Sequence, residues 1–415
     1  MGGRASSFIN PDTAELVDNC QHILMKCCTQ LLDFYEKLGV KQYIHWFDKF
    51  HFIDRSNQIS EIYSSPLPAP FHLFPSLLKF KALGWRDKIG IIYGMFCILS
   101  QDETLHTELE KITIDQWLRN HGQTDKAINT FWKPILVSAL NEKIEVSSAK
   151  YAFKLFRIGF LQSREAYEMG IPSIRLSELY SQPTVNFLHR YQGEVIFKKS
   201  VAKIKISNNH VSAIELIDGS EITGDYYISA VTFDILCNLI PEDVISHYGY
   251  FTNLEQLNVS PITGIHFWFD RMITELDHLV IPNRTIQWMF NKTKNFQNSN
   301  SSLNNNENTY LGLVISASND LMSLGREEII KIALDEVHEI FPKSKEAKLI
   351  KSIVIKEPKA TFSPSPGCDQ IRPIPESPIT NLFLAGDWTK TDWPGTMESA
   401  VISGYRCADK IIERN

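Results

Sequence analysis

The stretch from Leu382 to Tyr405 constrains the fold more than any other part of this sequence. Its first four residues, Leu382 to Ala385, are apolar, as is typical of a short strand that is buried on both faces. Gly386 follows and allows a ligand to approach the backbone closely, and Asp387 supplies a carboxylate. Open α/β sheets bind their ligands at the carboxyl ends of their strands. The stretch therefore predicts a buried strand that ends in a ligand-facing turn.

The residues after this turn predict a loop and a closing helix. Gly395 breaks the loop, Thr396 is a typical N-cap, and helical spacing continues over about 397–412. The positive end of such a helix faces the loop and can stabilise an anion. An apolar stripe is predicted to lie against the sheet or a flat cofactor, and it consists of Met397, Ala400, Val401, Gly404, Ala408 and Ile411. On these residues alone, the segment is equally compatible with the last βα unit of any α/β domain.

Composition excludes several classes of function. The net charge of −6 and the lack of a basic tract give no reason to expect nucleic acid as a partner. The seven cysteines are scattered without a CxxC motif, which indicates a reducing, cytoplasmic compartment. The twelve histidines show no metal-ligand spacing, so no metal is predicted. A length of 415 residues favours two intertwined domains over one simple core.

The segment from Pro66 to Leu99 has a mixed character. It combines prolines, aromatic residues and basic residues, as do helices that lie on a membrane surface. The core of a helical cap gives the same pattern, and the residues leave both possibilities open. The longest apolar run, Ile89 to Leu99, has about eleven residues, whereas a membrane span needs about 18. Peripheral contact with the inner face of the cell membrane is the strongest association that this segment predicts.

Two strings at opposite ends of the chain carry a family resemblance. LFLAGDWT…WPGTMESAVISGYRCA, which ends at Ala408, resembles the C-terminal flavin-binding segment of FAD-dependent amine oxidases and polyisoprenoid desaturases. GGRASSF, which begins at Gly2, resembles the segment of the same superfamily that lies against the FAD pyrophosphate and ribityl chain. The resemblance implies that Gly2, Gly3 and Arg4 contact that part of FAD, and an arginine fork suits a diphosphate.

A third string, ELVDNCQHILM at residues 15–25, resembles the VDNGQHVLMG segment of this superfamily. It departs from that segment at Cys20 and Lys26, where glycine is typical. In relatives this turn lies beside the isoalloxazine ring, which implies that Gln21 and His22 are neighbours of the flavin. The alternative is a strand-to-helix turn that carries an ordinary polar pair.

The resemblance further implies that Val201 lies at the adenine, with its backbone pairing to the ring edge. The residues implied to bind FAD are Gly2, Gly3, Arg4, Gln21, His22, Val201, Gly386, Asp387, Gly395, Thr396 and Met397. In this superfamily a GxGxxG nucleotide-binding unit occupies roughly the 30–40 residues before the GGR segment. That unit is therefore expected upstream of Met1, which is expected not to be the true start. A chain without the unit is expected to bind FAD poorly.

The implied architecture is a mixed α/β fold. It contains a discontinuous, N-terminally truncated Rossmann-like FAD-binding domain and an inserted substrate domain of β-sheet and helices. The FAD-binding domain is assigned to 1–55, 190–235 and 356–415, and the substrate domain with its helical cap to 56–189 and 236–355. Residues 291–309 are rich in Asn and Ser and are predicted to form a flexible loop.

Two internal strings, FWKPILVSALN at 131–141 and MGIPSIRLSELY at 169–180, resemble the squalene-associated branch, the hydroxysqualene dehydroxylases. This implies an FAD-dependent oxidoreductase that replaces the allylic hydroxyl of hydroxysqualene with hydrogen. The implied substrate is a hydrophobic polyisoprenoid, and the electron donor is unknown. A desaturase of a phytoene-type carotenoid precursor and a remnant chain with impaired FAD binding are the alternatives. The acid that helps water to leave is not assigned, and Asp392, Tyr167 and His22 are candidates.

Overall fold

The computed structural model describes residues 2–10, 15–101, 106–296 and 308–414. Its strands are β1 (Ser7–Ile9), β2 (Leu16–Asp18), β3 (Leu24–Met25), β4 (Ile44–Phe47), β5 (Lys49–Ile53), β6 (Ile59–Tyr63), β7 (Met169–Pro172), β8 (Val201–Ser207), β9 (His210–Leu216), β10 (Glu221–Ile222), β11 (Tyr227–Ser229), β12 (Val259–Phe269), β13 (His278–Val280), β14 (Trp288–Asn291), β15 (Thr309–Ser316), β16 (Leu349–Phe362) and β17 (Leu382–Leu384). Its α-helices are α1 (Thr29–Leu38), α2 (Phe74–Lys79), α3 (Trp85–Ser100), α4 (His106–Leu109), α5 (Ile114–Asn120), α6 (Asp125–Ala127), α7 (Lys133–Leu140), α8 (Ala149–Phe156), α9 (Leu176–Arg190), α10 (Phe233–Leu239), α11 (Glu242–His247), α12 (Gly249–Leu254), α13 (Lys292–Asn295), α14 (Arg326–Ile340), α15 (Cys368–Ile371) and α16 (Met397–Ile412).

The largest sheet has seven strands in the order β16-β12-β15-β14-β13-β5-β6. Its pairings are antiparallel except for the one between β13 and β5. Alternate residues of β12, Ile265, Phe267 and Phe269, point into one core because side chains alternate along a strand. Helix α14 packs on that core through residues at helical spacing, namely Ile329, Ala333, Val337 and Ile340.

A smaller parallel pair lies where the C-terminal stretch was expected to form a strand. β11 and β17 run parallel, with Tyr227 opposite Leu382 and Ser229 opposite Leu384. All three residues of β17 are buried, which confirms the predicted buried strand. The Asn381 side chain just before β17 accepts from the Val211 amide at 2.7 Å and so attaches β9 and its sheet. The mixed α/β class is confirmed.

The helices between β6 and β7 share one aromatic-rich core with the remaining face of the large sheet. That core includes Phe52 of β5, Trp132 in a π-helical turn, and Phe153 and Phe156 of α8. Within the described ranges, the structure has no helix that is long and apolar enough to cross a membrane. Because it shares this core with the sheet, the helical part packs against the sheet as an apolar layer.

The predicted loop at 291–309 is wrong at both of its ends. Asn291 closes β14 and caps α13, and Thr309 opens β15, because neighbouring strands of the sheet extend the pairing. The rest of the predicted loop, residues 297–307, lies outside the described residues. The division into two domains stays a prediction, and its boundary at residue 55 falls between the paired strands β5 and β6.

Candidate active site

Arg4 and Asp387 form the centre of the candidate site, although 383 residues separate them. The Arg4 guanidinium donates to the Asp387 carboxylate and to the carbonyl oxygen of Ala360. Asp387 follows β17, so its carboxylate lies at the carboxyl end of that strand. Gly2, with a φ of 100°, accepts from the Ala5 amide at 3.0 Å, and this tight turn carries Gly3 and brings Arg4 into place.

Two glycines allow the loop after β17 to close on Asp387. Gly386 has a φ of 145°, and a Cβ added there would lie 2.5 Å from the Trp388 indole nitrogen. A Cβ added to Gly395 would lie 3.0 Å from the Thr361 Cβ and 3.2 Å from Asp387 Oδ2. A side chain at either position would therefore push the loop away from the carboxylate.

Helix α16 begins as predicted but fully buries a different face. Thr396 accepts from the Ser399 amide at 3.2 Å, which confirms the N-cap. The Sδ of Met397, the first helical residue, accepts from the Tyr180 hydroxyl at 3.1 Å. Half of the predicted apolar stripe is confirmed, since Met397, Val401 and Ile411 pack against hydrophobic cores, whereas Ala400, Gly404 and Ala408 are exposed. The fully buried residues of the helix are Glu398, Ser399, Ser403 and Cys407.

Hydrogen bonds explain why a serine face is buried in α16. The Ser399 hydroxyl donates to the carbonyl oxygen of Asp387 at 2.9 Å, and the Ser403 hydroxyl accepts from the Gly386 amide at 2.8 Å. The helix thus packs on the loop backbone through hydroxyl groups. Hydrophobic periodicity could not predict this face, because the partners are backbone atoms rather than apolar side chains.

The turn that contains Gln21 and His22 is attached to Arg4. The Asn19 side-chain amide donates to the carbonyl oxygen of Arg4 at 3.1 Å. Gln21 donates to the carbonyl oxygen of His22 at 3.1 Å, and His22 Nδ1 lies 3.2 Å from the carbonyl oxygen of Cys20. Burial lowers the pKa of His22, which keeps its imidazole neutral near pH 7. The structure therefore brings this turn to the same cluster as Asp387.

Val201 is the predicted site residue that the structure does not bring to this cluster. It begins β8 and pairs with Leu216 of β9. Among the described residues, no recorded hydrogen bond or ion pair joins Val201 to Arg4 or Asp387. Its assignment to the adenine stays a prediction.

Arg372 is a central residue that the sequence pattern did not reveal. Its side chain is completely buried and donates to three successive carbonyl oxygens, those of Asp387 and Trp388 at 3.2 Å each and that of Thr389. It also donates to the Thr391 hydroxyl at 3.2 Å. Arg372 therefore fixes the loop that follows β17. The sequence signal was a lone arginine followed by proline, which is too weak to assign a role.

A crevice of about 10 Å³, roughly the space that one water molecule needs, opens beside the Arg4–Asp387 pair. Its lining consists of Arg4, Thr232, Phe233, Asp234, Val259, Lys359, Thr361, Phe362, Asp387 and Trp388. The Arg4 guanidinium and the Asp387 carboxylate meet at this crevice.

A sequence model of the family described as flavin containing amine oxidoreductase matches residues 1–412. The chain belongs to this family. Its relatives include the chloroplastic/chromoplastic 15-cis-phytoene desaturase of Solanum lycopersicum, which is 27% identical over all of this chain and 72% of the relative. The 15-cis-phytoene desaturase of Synechococcus elongatus is 26% identical over all of this chain and 89% of the relative.

Solved structures show the same fold for this flavin amine oxidoreductase. A triple mutant of putrescine oxidase has a TM-score of 0.71 at 13% identity, and the match covers 99% of this chain and 91% of that one. An oxidoreductase from Methanosarcina mazei has a TM-score of 0.69 at 15% identity, again over 99% and 91%. The chain is an FAD-dependent oxidoreductase with the amine oxidase fold.

The observed residues fit FAD. Arg4 offers a guanidinium that suits the diphosphate, and Asp387 offers a carboxylate that suits the ribityl hydroxyl groups. Both residues line the crevice beside them. The N-terminus of α16, with Thr396 and Met397, lies on the same loop. These groups would hold the cofactor.

None of the three candidate acids is well placed to give up a proton. Tyr167 donates its proton to the carbonyl oxygen of Asp48 at 2.5 Å, and burial raises its pKa to about 12. Asp392 is half-exposed and pairs with Arg406 at 3.4 Å. The lowered pKa of His22 leaves it without an acidic proton near neutral pH. The acid therefore stays unassigned.

Proposed function

We propose that this flavin amine oxidoreductase removes the hydroxyl group of hydroxysqualene and forms squalene. The observation that carries the proposal is the convergence of three segments. FWKPILVSALN and MGIPSIRLSELY resemble the squalene-associated branch, and ELVDNCQHILM resembles a segment of the whole superfamily. Two of the three segments meet at Asp18, in the string ELVDNCQHILM, which accepts from the amide of Leu176, in MGIPSIRLSELY, at 3.1 Å. The third contributes Asn141, which ends FWKPILVSALN and donates to the Thr361 hydroxyl at 2.9 Å. Thr361 packs against Gly395, so the three segments surround the candidate site.

The reaction balances as a two-electron reduction. The allylic C–O bond breaks, a C–H bond forms at the same carbon, and the hydroxyl group leaves as water after taking up one proton. Bound FAD, once reduced by the cell's electron donor, supplies the hydride for this exchange. The described residues supply orientation through Arg4, Asp387 and Arg372. A long apolar chain and developing positive charge require a water-poor surrounding, and the helical part contains an aromatic-rich core of that character.

Desaturation of a phytoene-type carotenoid precursor is a second candidate. The relatives from Solanum lycopersicum and Synechococcus elongatus favour it, since both are 15-cis-phytoene desaturases. Their identities of 27% and 26% are low enough for the substrate and the direction of electron transfer to differ. Both candidates use flavin and a polyisoprenoid, and they differ in whether the substrate accepts or gives up hydride.

Product analysis separates the two candidates. The FAD-loaded protein is incubated without oxygen with hydroxysqualene and dithionite, and in parallel with phytoene and a quinone acceptor. Squalene from the first incubation and no polyene from the second are the expected results. A conjugated polyene from phytoene, with no squalene from hydroxysqualene, would replace dehydroxylation with desaturation. An Arg372→Met variant, which loses the contacts that fix the loop, serves as the low-activity control.

Peripheral contact with a membrane is part of the proposal, because the substrate is lipid-soluble. α3 exposes Trp85, Ile89, Tyr93 and Phe96 on one side, with exposed fractions of 68%, 64%, 55% and 42%. Exposed apolar side chains on the preceding segment extend the same patch, namely Leu67, Phe71 and Leu78, and exposed Lys79, Lys81 and Arg86 accompany them. A contiguous apolar face with basic neighbours suits a surface of anionic lipids. All seven cysteines lie in the described residues without a disulfide, which favours the cytoplasmic side.

Vesicle sedimentation tests this contact without reference to catalysis. The protein should sediment with vesicles that contain phosphatidylglycerol and less with pure phosphatidylcholine. The double variant Trp85→Ser/Ile89→Ser should stay in the supernatant. The control Ile412→Ser removes a side chain that is 70% exposed on α16 and should sediment like the original protein. Equal sedimentation of both variants would refute a contact through α3.

A further inference from the structure

Lys292 is a lysine whose charge lies entirely inside the protein. Its side chain is 1% exposed, and its Nζ lies 3.1 Å from Oδ2 of Asp18, whose side chain is 5% exposed. A Cβ added to Gly312 on the central strand β15 would lie 2.9 Å from the Lys292 Cε, so a glycine there makes room for the lysine stem. The fold therefore accommodates a buried cation next to one buried carboxylate.

A second cation approaches the same carboxylate. Arg175 Nη1 lies 4.0 Å from Asp18 Oδ2, and the Arg175 side chain is only 14% exposed. The guanidinium lies 4.6 Å from the centre of the Phe296 ring and 5.9 Å from that of the Tyr310 ring. Two cations against one carboxylate leave one positive charge without a buried partner. We call Asp18, Lys292 and Arg175 the buried triad.

The other titratable groups around the triad do not cancel this charge. Burial lowers the pKa of His266 to about 3 and raises that of Cys20 to about 11, so both are neutral at pH 7. Burial also raises the pKa of Tyr310, whose hydroxyl lies 2.8 Å from His266 Nδ1. At the rim, Lys351 and Glu15 form an ion pair with each other and add no net charge. Burial lowers the pKa of Lys292, and the ion pair with Asp18 opposes that effect. With Lys292 and Arg175 both protonated, the triad carries one positive charge in excess.

The triad lies directly behind the turn that carries Gln21 and His22. Asp18 is the last residue of β2 and the first residue of that turn. Its neighbour Asn19 donates to the carbonyl oxygen of Arg4, and a Cβ added to Gly264 would lie 3.2 Å from the Cys20 sulfur. The turn thus links the triad to the Arg4–Asp387 cluster. Charge in a low-dielectric interior acts more strongly than the same charge in water.

We propose that the buried triad acts through the turn at 18–22 as a positioning and electrostatic element that stabilises negative charge on bound, reduced flavin. Lys292 and Arg175 supply the positive charge. Asp18 pairs with both of them and is itself the first residue of the turn, so it holds the two cations next to the turn. Ser7 and the amide of Leu176 donate to Asp18 at 2.8 and 3.1 Å and hold its carboxylate in place. The inference rests on the proposed use of FAD at this site but not on the identity of the substrate.

The first test measures the pKa of His22 by NMR titration of the purified protein. Lys292 and Arg4 lower the pKa of His22 electrostatically, and Asp18 raises it, in addition to the larger effect of burial. Lys292→Met should therefore raise the pKa of His22. The double variant Asp18→Asn/Lys292→Met removes one charge of each sign and should return the pKa towards the original value. An unchanged pKa in Lys292→Met would overturn the electrostatic link between the triad and the turn.

The second test measures the midpoint potential of the bound flavin by spectroelectrochemistry. Lys292→Met and Arg175→Met each remove the excess charge and should make the potential more negative. Asp18→Asn/Lys292→Met keeps the excess charge on Arg175 and should restore the potential, as should the conservative Arg175→Lys. Lys199→Met, which breaks an exposed ion pair with Asp218, is the control and should leave the potential unchanged.

A purely structural role for the triad predicts a different order of the variants. It predicts that the double variant deviates at least as far as Lys292→Met, and that result would overturn the proposal. If Lys292→Met does not fold, Arg175→Met and Arg175→Lys still decide the question, because Arg175 lies nearer the surface. A restored potential without dehydroxylation of hydroxysqualene would support the triad and refute the proposed substrate.

Discussion

The buried cluster around Arg372 and the buried triad around Lys292 flank the same site, yet they are built differently. Arg372 donates to carbonyl oxygens of the loop after β17, and its charge is balanced by Asp369 at 3.1 Å. Lys150, which also pairs with Asp369, lies 3.8 Å from Glu110, so the four charged groups sum to zero. Lys292 makes one hydrogen bond, to Asp18, and the triad keeps an excess positive charge.

This difference separates two uses of buried charge. A charge with many hydrogen bonds and a balanced partner fixes a backbone, and breaking it leaves several polar groups without partners. A charge in excess stabilises nothing in the free protein beyond its own ion pair. Such a buried positive charge stabilises a negative charge that forms nearby, as on a reduced flavin. On this account the Arg372 cluster fixes the backbone of the site, and the triad makes the electrostatic potential at the site more positive.

The largest expected effect is the loss of the Arg372 contacts. Arg372→Met should lower the free energy of unfolding by ~3–5 kcal/mol, because it leaves Asp369 and several carbonyl oxygens buried without their donor. Arg372→Lys should recover only part of the loss, since one ammonium cannot replace a planar fork. Urea denaturation measures both values. A loss below about 1 kcal/mol would show that water satisfies these groups and would contradict the claim that the Arg372 cluster fixes the loop.

The triad should cost less to disrupt and should show a compensating double variant. Lys292→Met should lower the free energy of unfolding by roughly 2–3 kcal/mol, because Arg175 remains close to the buried charge of Asp18 and compensates part of it. Asp18→Asn/Lys292→Met should recover most of that loss, since a neutral pair replaces an ion pair. Urea denaturation of the original protein, the single variant and the double variant gives the coupling. A purely additive loss would show that the two side chains do not interact.

Glu398 is a third buried ionisable group, and it makes fewer hydrogen bonds than Arg372 but more than Lys292. Its carboxylate accepts from the amides of Gln30 and Leu31 at 3.1 and 2.7 Å and so caps α1, whose own N-cap residue makes no side-chain bond. Glu398→Ala should lower stability by ~1 kcal/mol, as the loss of a helix cap does. Hydrogen exchange at Gln30 and Leu31 should accelerate, whereas Glu398→Gln should retain most of the protection. Unchanged exchange in the alanine variant would argue against the cap.

Acid should weaken the Arg372 cluster over a defined range of pH. Burial alone would raise the pKa of Asp369, but hydrogen bonds from Lys150 and Tyr151 outweigh it and the pKa is lowered. A lowered pKa in the folded state contributes stability above the unfolded value of 3.8, and this contribution is lost as the pH falls through the folded pKa. Asp369→Asn should therefore flatten the decline in thermal stability below about pH 4. An equally steep decline would assign acid lability to other carboxylates.

Sequence patterns predicted the parts of the site that depend on local chemistry. The apolar run at Leu382, the cap at Thr396 and the glycine-arginine start each carry their reason within a few residues, and the structure places all three at one cluster. Arg372 and Lys292 could not be found in this way, because their partners lie far away in sequence. Lys292 is joined to Asp18 across 274 positions, and nothing near either residue indicates the pair.

The buried face of α16 shows a second limit. The apolar stripe predicted from Met397 to Ile411 assumes that helices bury their hydrophobic side. Here Ser399 and Ser403 are buried because the loop after β17 presents polar backbone atoms that need partners. Hydrophobic periodicity predicts contacts between apolar side chains, and it cannot predict contacts with backbone atoms. Sites that hold cofactors close to loops are therefore harder to predict than cores.

The direction of electron transfer tests the proposed dehydroxylation most directly. The FAD-loaded protein is reduced by light under anaerobic conditions and mixed with one equivalent of hydroxysqualene while the flavin absorbance is followed. Oxidation of the flavin together with an equal amount of squalene is the predicted result. A reduced flavin that persists with hydroxysqualene, while oxidised flavin is reduced by phytoene, would contradict it and assign the protein to desaturation.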